Sequence, residues 1–247
     1  MRHLFLALLF AQSLLAQNTD PFPSPPNVKG LQVQMIDDAL KLGIHHAGVN
    51  INITALYTAK SKPEKGDFIW NDAYLASLDR QIKPLSDKGI LVYLIVIAYP
   101  SKNPAIDAVT LHPGHRKDYK FNVAAPNTTN ACFPAVMNLL AERWSGAHPA
   151  HGRVWGWIIG NEVNSHWMSN NMGLAPLETA ASEYEKAVRI AHGAIRRHSQ
   201  NARVYLSFDH HWAIGMNGIS PQEAVPGRDF IDTFARLVRE RGDFDWN

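Results

Sequence analysis

The sequence has a single cysteine and no cluster of basic residues, and each shortage excludes a class of protein. Cys132 has no second cysteine to pair with, so no internal disulfide can form. The 24 Lys and Arg residues nearly balance the 22 Asp and Glu residues, and they are scattered along the chain. Because binding to a nucleic-acid backbone needs a clustered basic face, we expect no nucleic-acid partner.

Long hydrophobic runs are also missing. Residues 1–16 combine a basic start, a short apolar run and a small residue, Ala16, which is the pattern of a signal peptide. That run is too short to span a bilayer, and no later run is long enough either. We therefore predict a secreted or periplasmic protein with no membrane association after signal-peptide cleavage.

Metal-ligand spacings are absent too. His45-His46, His166 and His210-His211 lie near predicted strand ends, so a metal-dependent barrel hydrolase is a lesser alternative. However, adjacent histidines on a strand point to opposite faces, and no His-x-His or His-Glu-x-x-His spacing occurs. No glycine-rich phosphate loop follows the first predicted strand either. We expect no bound metal and no cofactor.

The sequence does contain a regular alternation of strand and helix patterns. Residues 17–27 carry four prolines and are predicted to form an extended linker before a single domain of residues 28–247. Strand and helix patterns then alternate five times, and residues 243–247 begin a sixth strand. This alternation predicts an α/β fold with a parallel sheet, and a doubly wound open sheet is the alternative. The five predicted strands span residues 28–33, 44–53, 90–98, 154–159 and 202–208.

Three details of this pattern can be tested directly. Asp72 and Asp229 are predicted to cap the helices that follow them. The apolar run of residues 90–98 is typical of a parallel strand that is buried on both faces. Residues 99–130 form a polar segment of a length that is uncommon unless it serves a site, so we expect it to set substrate choice. Its chemically active side chains are His112, His115, Arg116 and Tyr119.

An amide and a carboxylate follow the fourth predicted strand. That strand stops at Gly160, and Asn161 and Glu162 come directly after it. In barrels of alternating strands and helices, catalytic residues lie at the C-terminal ends of the strands. A carboxylate beside an amide, close in sequence to several tryptophans, suits sugar chemistry. The simpler interpretation is that Glu162 is a charged residue at the start of a loop.

The Gly160-Asn161-Glu162 motif at the end of strand four resembles the acid/base signature of the clan A retaining glycoside hydrolases, which are TIM barrels. The segment from Asp67 to Val92 is similar to the region from helix two to strand three of those enzymes, and the chain is most similar to a secreted branch of the clan. The resemblance implies a (β/α)8 TIM barrel that is incomplete, with about five and a half β/α units present.

The resemblance also implies roles for particular side chains. Glu162 would be the catalytic proton donor and then the base that activates water. Asn161 would bind the sugar hydroxyl next to the anomeric carbon. Trp167, His210 and Trp212 would contact the sugar, although packing at the rim explains each of the three equally well. The partner would be an oligo- or polysaccharide substrate.

One part of the clan's site has no counterpart in this sequence. The nucleophile of these enzymes is a glutamate at the end of strand seven, whereas the predicted strands here stop at the sixth. The resemblance therefore implies a chain that is truncated before strand seven and is inactive alone. A secreted carbohydrate-binding barrel without catalysis is the alternative of a different class.

Overall fold

The computed structural model describes residues 17–58, 60–62, 67–118 and 123–247, so the predicted signal peptide lies outside the described residues. Strands and helices alternate along this part of the chain. In chain order they are β1 (Gly30–Gln32), α1 (Ile36–Lys41), β2 (His46–Asn52), a 3-10 turn (Ile53–Leu56), α2 (Asp72–Asp87), β3 (Leu91–Ile97), α3 (Pro104–Thr110), α4 (Cys132–Ser145), β4 (Gly156–Ile159), α5 (Leu177–His198), β5 (Arg203–Tyr205) and α6 (Gly227–Arg241).

The five strands form one parallel sheet in the order β1-β2-β3-β4-β5. Each strand therefore pairs with the next strand along the chain. A doubly wound sheet would contain a point at which the strand order reverses, and the described sheet contains none. The sequential order is that of a TIM barrel, so the predicted α/β barrel topology is confirmed and the doubly wound alternative is wrong.

One face of the sheet packs against the helices. Alternate residues of β2, such as Val49 and Ile51, are fully buried, and so are Leu94 of β3 and Trp157 of β4. These side chains belong to one core with the apolar residues of α2, α4, α5 and α6. Because successive strand residues point to opposite faces, the intervening residues form the second face of the sheet.

The second face is more open than the sequence predicts. The apolar run of β3 indicated a strand buried on both sides, but Tyr93 and Ile95 are only half-buried. Tyr93 lies across the neighbouring strand at Gly156, where an added Cβ would come within 2.1 Å of its ring. Its ring also meets Tyr205 of β5 edge-on, with centroids 5.4 Å apart. Aromatic side chains thus cover this face in place of a second layer of helices.

Three predicted details need correction. The cap of α2 is Asn71, whose side chain accepts a hydrogen bond from the Tyr74 amide, and Asp72 is already helical. Likewise, Asp229 lies inside the first turn of α6. The polar segment after β3 contains helix α3, which Asn103 caps and which was not predicted.

Residues 243–247, which were predicted to begin a sixth strand, form no strand in the described structure, but Asn247 pairs with the residues around β5. The Asn247 amide donates to Val204 O at 2.8 Å, and the Leu206 amide donates to Asn247 O at 2.8 Å. These two bonds are the pattern of a parallel ladder, which places Asn247 beside β5.

The predicted linker packs against the end of the sheet where the strands begin. Asn18 is buried, its amide donates to His198 O at 2.8 Å, and the Gln200 amide donates to Asn18 O at 2.9 Å. Phe22 meets Trp155 edge-on at 5.9 Å, and the Arg203 guanidinium lies 3.9 Å from the Phe22 ring centroid.

In the described part of the chain, no helix has the length and apolarity to cross a membrane.

Candidate active site

The turn that follows β4 has an unusual backbone conformation. Gly160 has a φ of 74° and Glu162 a φ of 42°, both in the left-handed region. Glycine adopts this region freely, whereas for other residues it costs about 1–2 kcal/mol. Among the described residues Glu162 is the only non-glycine there. Backbone strain of this kind persists where the surroundings fix it, and it is concentrated at functional sites.

Neighbouring loops hold Glu162 in this conformation. The Glu162 amide donates to Ser207 Oγ at 3.2 Å, and the Val163 amide donates to Ser207 O at 2.9 Å. The Ser165 amide donates to Glu162 O at 2.8 Å. The backbone on both sides of the carboxylate is therefore fixed, in part by the residues that leave β5.

The Glu162 side chain is half-buried and has one hydrogen-bond donor among the described residues. Ser169 Oγ donates to Glu162 Oε2 at 3.1 Å, and the Ser169 side chain is buried. No described residue donates to Oε1. Among the described residues, the carboxyl group is therefore anchored at Oε2 alone.

Asn161 lines a small cleft at the C-terminal ends of the strands. The cleft has a volume of about 200 Å³. This is below the ~300–1,000 Å³ of typical small-molecule sites. The polar side chains of its wall come from the ends of several strands, as in barrel enzymes. It is lined by Gln32, Asn50, Ile95, Ile97, Tyr99, Val123 and Asn161.

The predicted sugar-contacting residues lie outside the wall of this cleft. Trp167 is half-buried in the loop after β4, and its amide donates to Glu223 O at 2.8 Å. His210 is exposed, and its ring centroid lies 4.1 Å from that of His211. Trp212 is 49% exposed and packs edge-on against Phe208 at 6.2 Å. All three lie on loops that follow β4 and β5, and their role in sugar binding stays a prediction.

A polar cluster that was not predicted from the sequence joins the loops after β4 and β5. Asn164 Nδ2 donates to Asp209 Oδ1 at 2.8 Å, and the Asp209 amide donates back to Asn164 Oδ1 at 2.9 Å. Ser165 Oγ donates to Asp209 Oδ2, and the His211 amide donates to Asp209 Oδ1 at 2.8 Å. The cluster was detectable in principle, because Asn164 and Asp209 each follow a predicted strand closely.

The charge of Asp209 is stabilised by these donors. Burial alone would raise its pKa, since the Asp209 side chain is only 4% exposed. The hydrogen bonds from Ser165 and Asn164 outweigh that effect and hold the pKa of Asp209 below its usual range. Asp209 is thus an ionised group whose oxygens are occupied, which suits it to holding loops in place.

The histidines considered as metal ligands do not converge. His46 lies at the start of β2, with Nε2 3.1 Å from Asn27 O, far along the strand from the end that carries Asn52. His166 is buried, with Nε2 within hydrogen-bond distance of Ala175 O and Gln222 O, and burial lowers its pKa. In the described part of the chain, no group of three His, Cys, Asp or Glu side chains is placed to share an ion.

The polar segment after β3 forms a second cavity, of about 530 Å³. His112 lines it, and His112 Nδ1 accepts a hydrogen bond from the Gly114 amide at 3.1 Å. Burial lowers the pKa of His112. Arg116 forms an ion pair with Asp118, while Tyr119 lies outside the described residues. The influence of this segment on substrate choice stays a prediction.

A protein-family model matches almost all of the chain after the predicted signal peptide. The model is described as "Family of unknown function (DUF5722)", and it matches residues 21–247. The chain belongs to this family. No curated protein matches the chain.

Several solved structures are similar to this DUF5722 member at low identity. A family 1 β-glucosidase from Thermotoga maritima is 14% identical, with a TM-score of 0.46 over 82% of this chain and 40% of that one. Cel5A from the same organism, in complex with mannotriose, is 13% identical, with a TM-score of 0.43 over 78% and 48%. The exo-β-1,4-mannosidase Op5Man5 from Opitutaceae bacterium strain TAV5 is 15% identical, with a TM-score of 0.44 over 76% and 31%. The chain spans less than half the length of each of these three proteins.

Proposed function

We propose that this DUF5722 member is a glycoside hydrolase that acts on an oligo- or polysaccharide, with Glu162 as its acid/base residue. The observation that carries the proposal is the position of the Glu162 carboxylate. It lies on a strained left-handed turn at the C-terminal end of β4, and the residue before it, Asn161, lines the cleft. Barrel enzymes place their catalytic groups at this end of the strands, and strain of this size favours a functional origin.

The mechanism that we propose is the retaining one. Glu162 donates a proton to the glycosidic oxygen as its bond to the anomeric carbon breaks, and it later takes a proton from the attacking water. Asn161 binds the sugar in the cleft through its amide. We assign no residue of this chain as the carboxylate nucleophile. Asp209 does not suit that role, because its buried oxygens already accept bonds from Asn164, Ser165 and the His211 amide.

The place of action is part of the proposal. The basic start and short apolar run of residues 1–16 favour export, so we propose that the enzyme acts outside the cytoplasm. N-terminal sequencing of the protein from its native host tests this, and a mature chain that begins at Gln17 is the expected result.

The test of the function is the hydrolysis of a panel of aryl glycosides and oligosaccharides. The full-length protein is expressed, and Glu162→Gln is compared with it. Removal of a general acid slows reactions about 10²–10⁴-fold, so Glu162→Gln should lose hydrolysis of unactivated substrates by about that factor. Glu240→Gln is the matched control, because Glu240 is an exposed residue of α6 that pairs with Arg236.

Two outcomes would change the conclusion. Hydrolysis that survives unchanged in Glu162→Gln would remove Glu162 from the mechanism. Oligosaccharide binding by calorimetry without any turnover would favour a carbohydrate-binding barrel that lacks catalysis. The observation that favours this second function is that none of the described residues is assigned as the nucleophile.

A further inference from the structure

The loop after β4 turns back so that Ser169 meets the carboxylate that the same loop begins with. Ser169 is 5% exposed, and its Oγ donates to Glu162 Oε2 at 3.1 Å. Its amide donates to Ser165 O at 3.0 Å, which places Ser169 at the end of a short turn. We propose that Ser169 is a positioning residue that aims the Glu162 carboxyl group at the glycosidic oxygen. This inference rests on the proposed function.

The chemistry of the first step favours a hydroxyl donor at this position. As the bond to the anomeric carbon breaks, its electron pair stays with the glycosidic oxygen, which takes the proton of Glu162. A carboxylate nucleophile captures the anomeric carbon, and Glu162 is left ionised. Hydrogen bonds to an ionised acceptor are roughly twice as strong as those between neutral groups. The bond from Ser169 therefore strengthens as the proton leaves.

The geometry also divides the two carboxyl oxygens between two tasks. Ser169 holds Oε2, and none of the described residues donates to Oε1. The bond at Oε2 therefore restricts the rotation of the Glu162 side chain. General acid catalysis depends on such placement, because the acid must lie within hydrogen-bond reach of the atom that it protonates.

The loop does not need the Ser169 hydroxyl to keep its path. On one side Ser165 is fixed to Asp209. On the other side the Asn171 amide donates to Val123 O at 2.8 Å, and Asn171 Nδ2 donates to Arg116 O at 2.7 Å. Because both ends of the segment are held by other residues, removal of Oγ should leave the loop folded and release only the carboxyl group.

The test uses two aryl glycosides of the sugar that the wild-type full chain hydrolyses fastest. One carries a phenol leaving group, which needs protonation, and the other a 2,4-dinitrophenol leaving group, which does not. For Ser169→Ala we expect kcat/KM on the phenyl glycoside to fall about 10-fold, through kcat rather than KM, as part of the contribution of the general acid. For the dinitrophenyl glycoside, kcat/KM should change by less than about 2-fold, because the cleavage of this substrate gains little from general acid catalysis. Ser169→Thr keeps the hydroxyl and should restore the phenyl rate.

Ser145→Ala is the matched control. Ser145 is a fully buried serine whose Oγ donates to Val154 O at 2.9 Å and accepts from Trp157 Nε1 at 3.0 Å, away from the strand ends that carry Glu162. The Ser145→Ala substitution should change kcat/KM for the two substrates by the same factor. If Ser169→Ala does not fold, Ser169→Cys carries the test, because its thiol is a weak donor of similar size.

The outcomes separate this proposal from the proposed function. Suppose that the wild type is active and that the ratio of the phenyl rate to the dinitrophenyl rate is unchanged in Ser169→Ala or Ser169→Cys. This result would overturn the positioning role of Ser169 but not the proposed hydrolase function. A wild type that cleaves neither substrate would overturn both. A selective loss on the phenyl glycoside, restored by threonine, would support the role of Ser169.

Discussion

Two carboxylates at opposite ends of the sheet differ in how completely they are bound. Asp79 of α2 accepts hydrogen bonds from Arg143 Nε at 2.9 Å, Trp144 Nε1 at 3.0 Å and His151 Nδ1 at 2.9 Å. It lies near the loop that precedes β4. Glu162, which follows β4, has Ser169 as its one described donor. A carboxylate with every oxygen occupied fastens elements together, whereas one with a free oxygen can react with a ligand.

The largest effect on stability should come from the fully bound carboxylate. Asp79→Ala leaves the Arg143 guanidinium and the Trp144 indole without their acceptor between α2 and α4. We expect the free energy of unfolding to fall by about 2–3 kcal/mol, as for other broken partly buried networks. Urea denaturation measures this change. If Asp79→Ala were as stable as the wild type, occupied oxygens would not mark a structural carboxylate.

The stability difference between the wild type and Asp79→Ala should depend on pH, and this dependence is the control. Burial alone would raise the pKa of Asp79, but the Arg143 guanidinium and the other donors outweigh it and hold the pKa below its usual range. The unfolded state therefore binds the proton at a higher pH than the folded state does. The stabilisation is complete above the ordinary Asp pKa of about 3.9 and disappears as the pH falls through the lower folded-state value. The wild type and Asp79→Ala should thus converge in stability in acid.

An intermediate loss of stability is expected for a substitution of Asp209. This residue lies at the same end of the strands as Glu162, but both of its carboxyl oxygens accept hydrogen bonds, as those of Asp79 do. Asp209→Ala removes the acceptor of Asn164 and Ser165, and we expect a loss of about 1–2 kcal/mol. Hydrogen exchange at the Ser165 and His211 amides should also accelerate. A double-mutant cycle with Asn164→Ala checks the assignment, because strictly additive losses would mean that the two side chains do not stabilise each other.

The smallest change in stability is expected at Glu162, where one substitution should be stabilising relative to another. A glycine relieves the strain of a φ of 42°, whereas an alanine keeps the Cβ that causes it. Glu162→Gly should therefore be about 0.5–1 kcal/mol more stable than Glu162→Ala in thermal unfolding, although both lose the acid/base group. A glycine variant that is less stable than the alanine variant would show that the turn is unstrained.

The sequence predicted the fold well because its strands have strong patterns. The runs that became β3 and β4 are rich in β-branched and apolar residues, β2 alternates buried apolar residues with more exposed ones, and glycines follow several helix ends. Helix α3 was missed because it is short and lies in a polar segment, although Asn103-Pro104 is a reasonable helix start. The helix starts were displaced because Asn71 and Asp72 are both good caps, and only the backbone conformation decides between them.

Only the site residues that directly follow a strand could be predicted from the sequence. Glu162 and Asn161 could be named because the end of a strand has a known position in a parallel sheet. Ser169 and Ser207 could not, because their approach to Glu162 depends on the path of the loops after β4 and β5. That path depends on left-handed geometry at Glu162, for which a glutamate gives no signal in the sequence.

The docking of residues 17–22 at the start of the strands has a practical consequence for handling the protein. Asn18 and Phe22 hold this segment against the end of α5 and the beginning of β5, while Glu162 lies at the opposite ends of the strands. A resin or sensor surface attached before Gln17 would therefore face away from the cleft. Immobilised protein should keep its candidate site open to long polysaccharides, so surface-based binding assays can be built from this terminus.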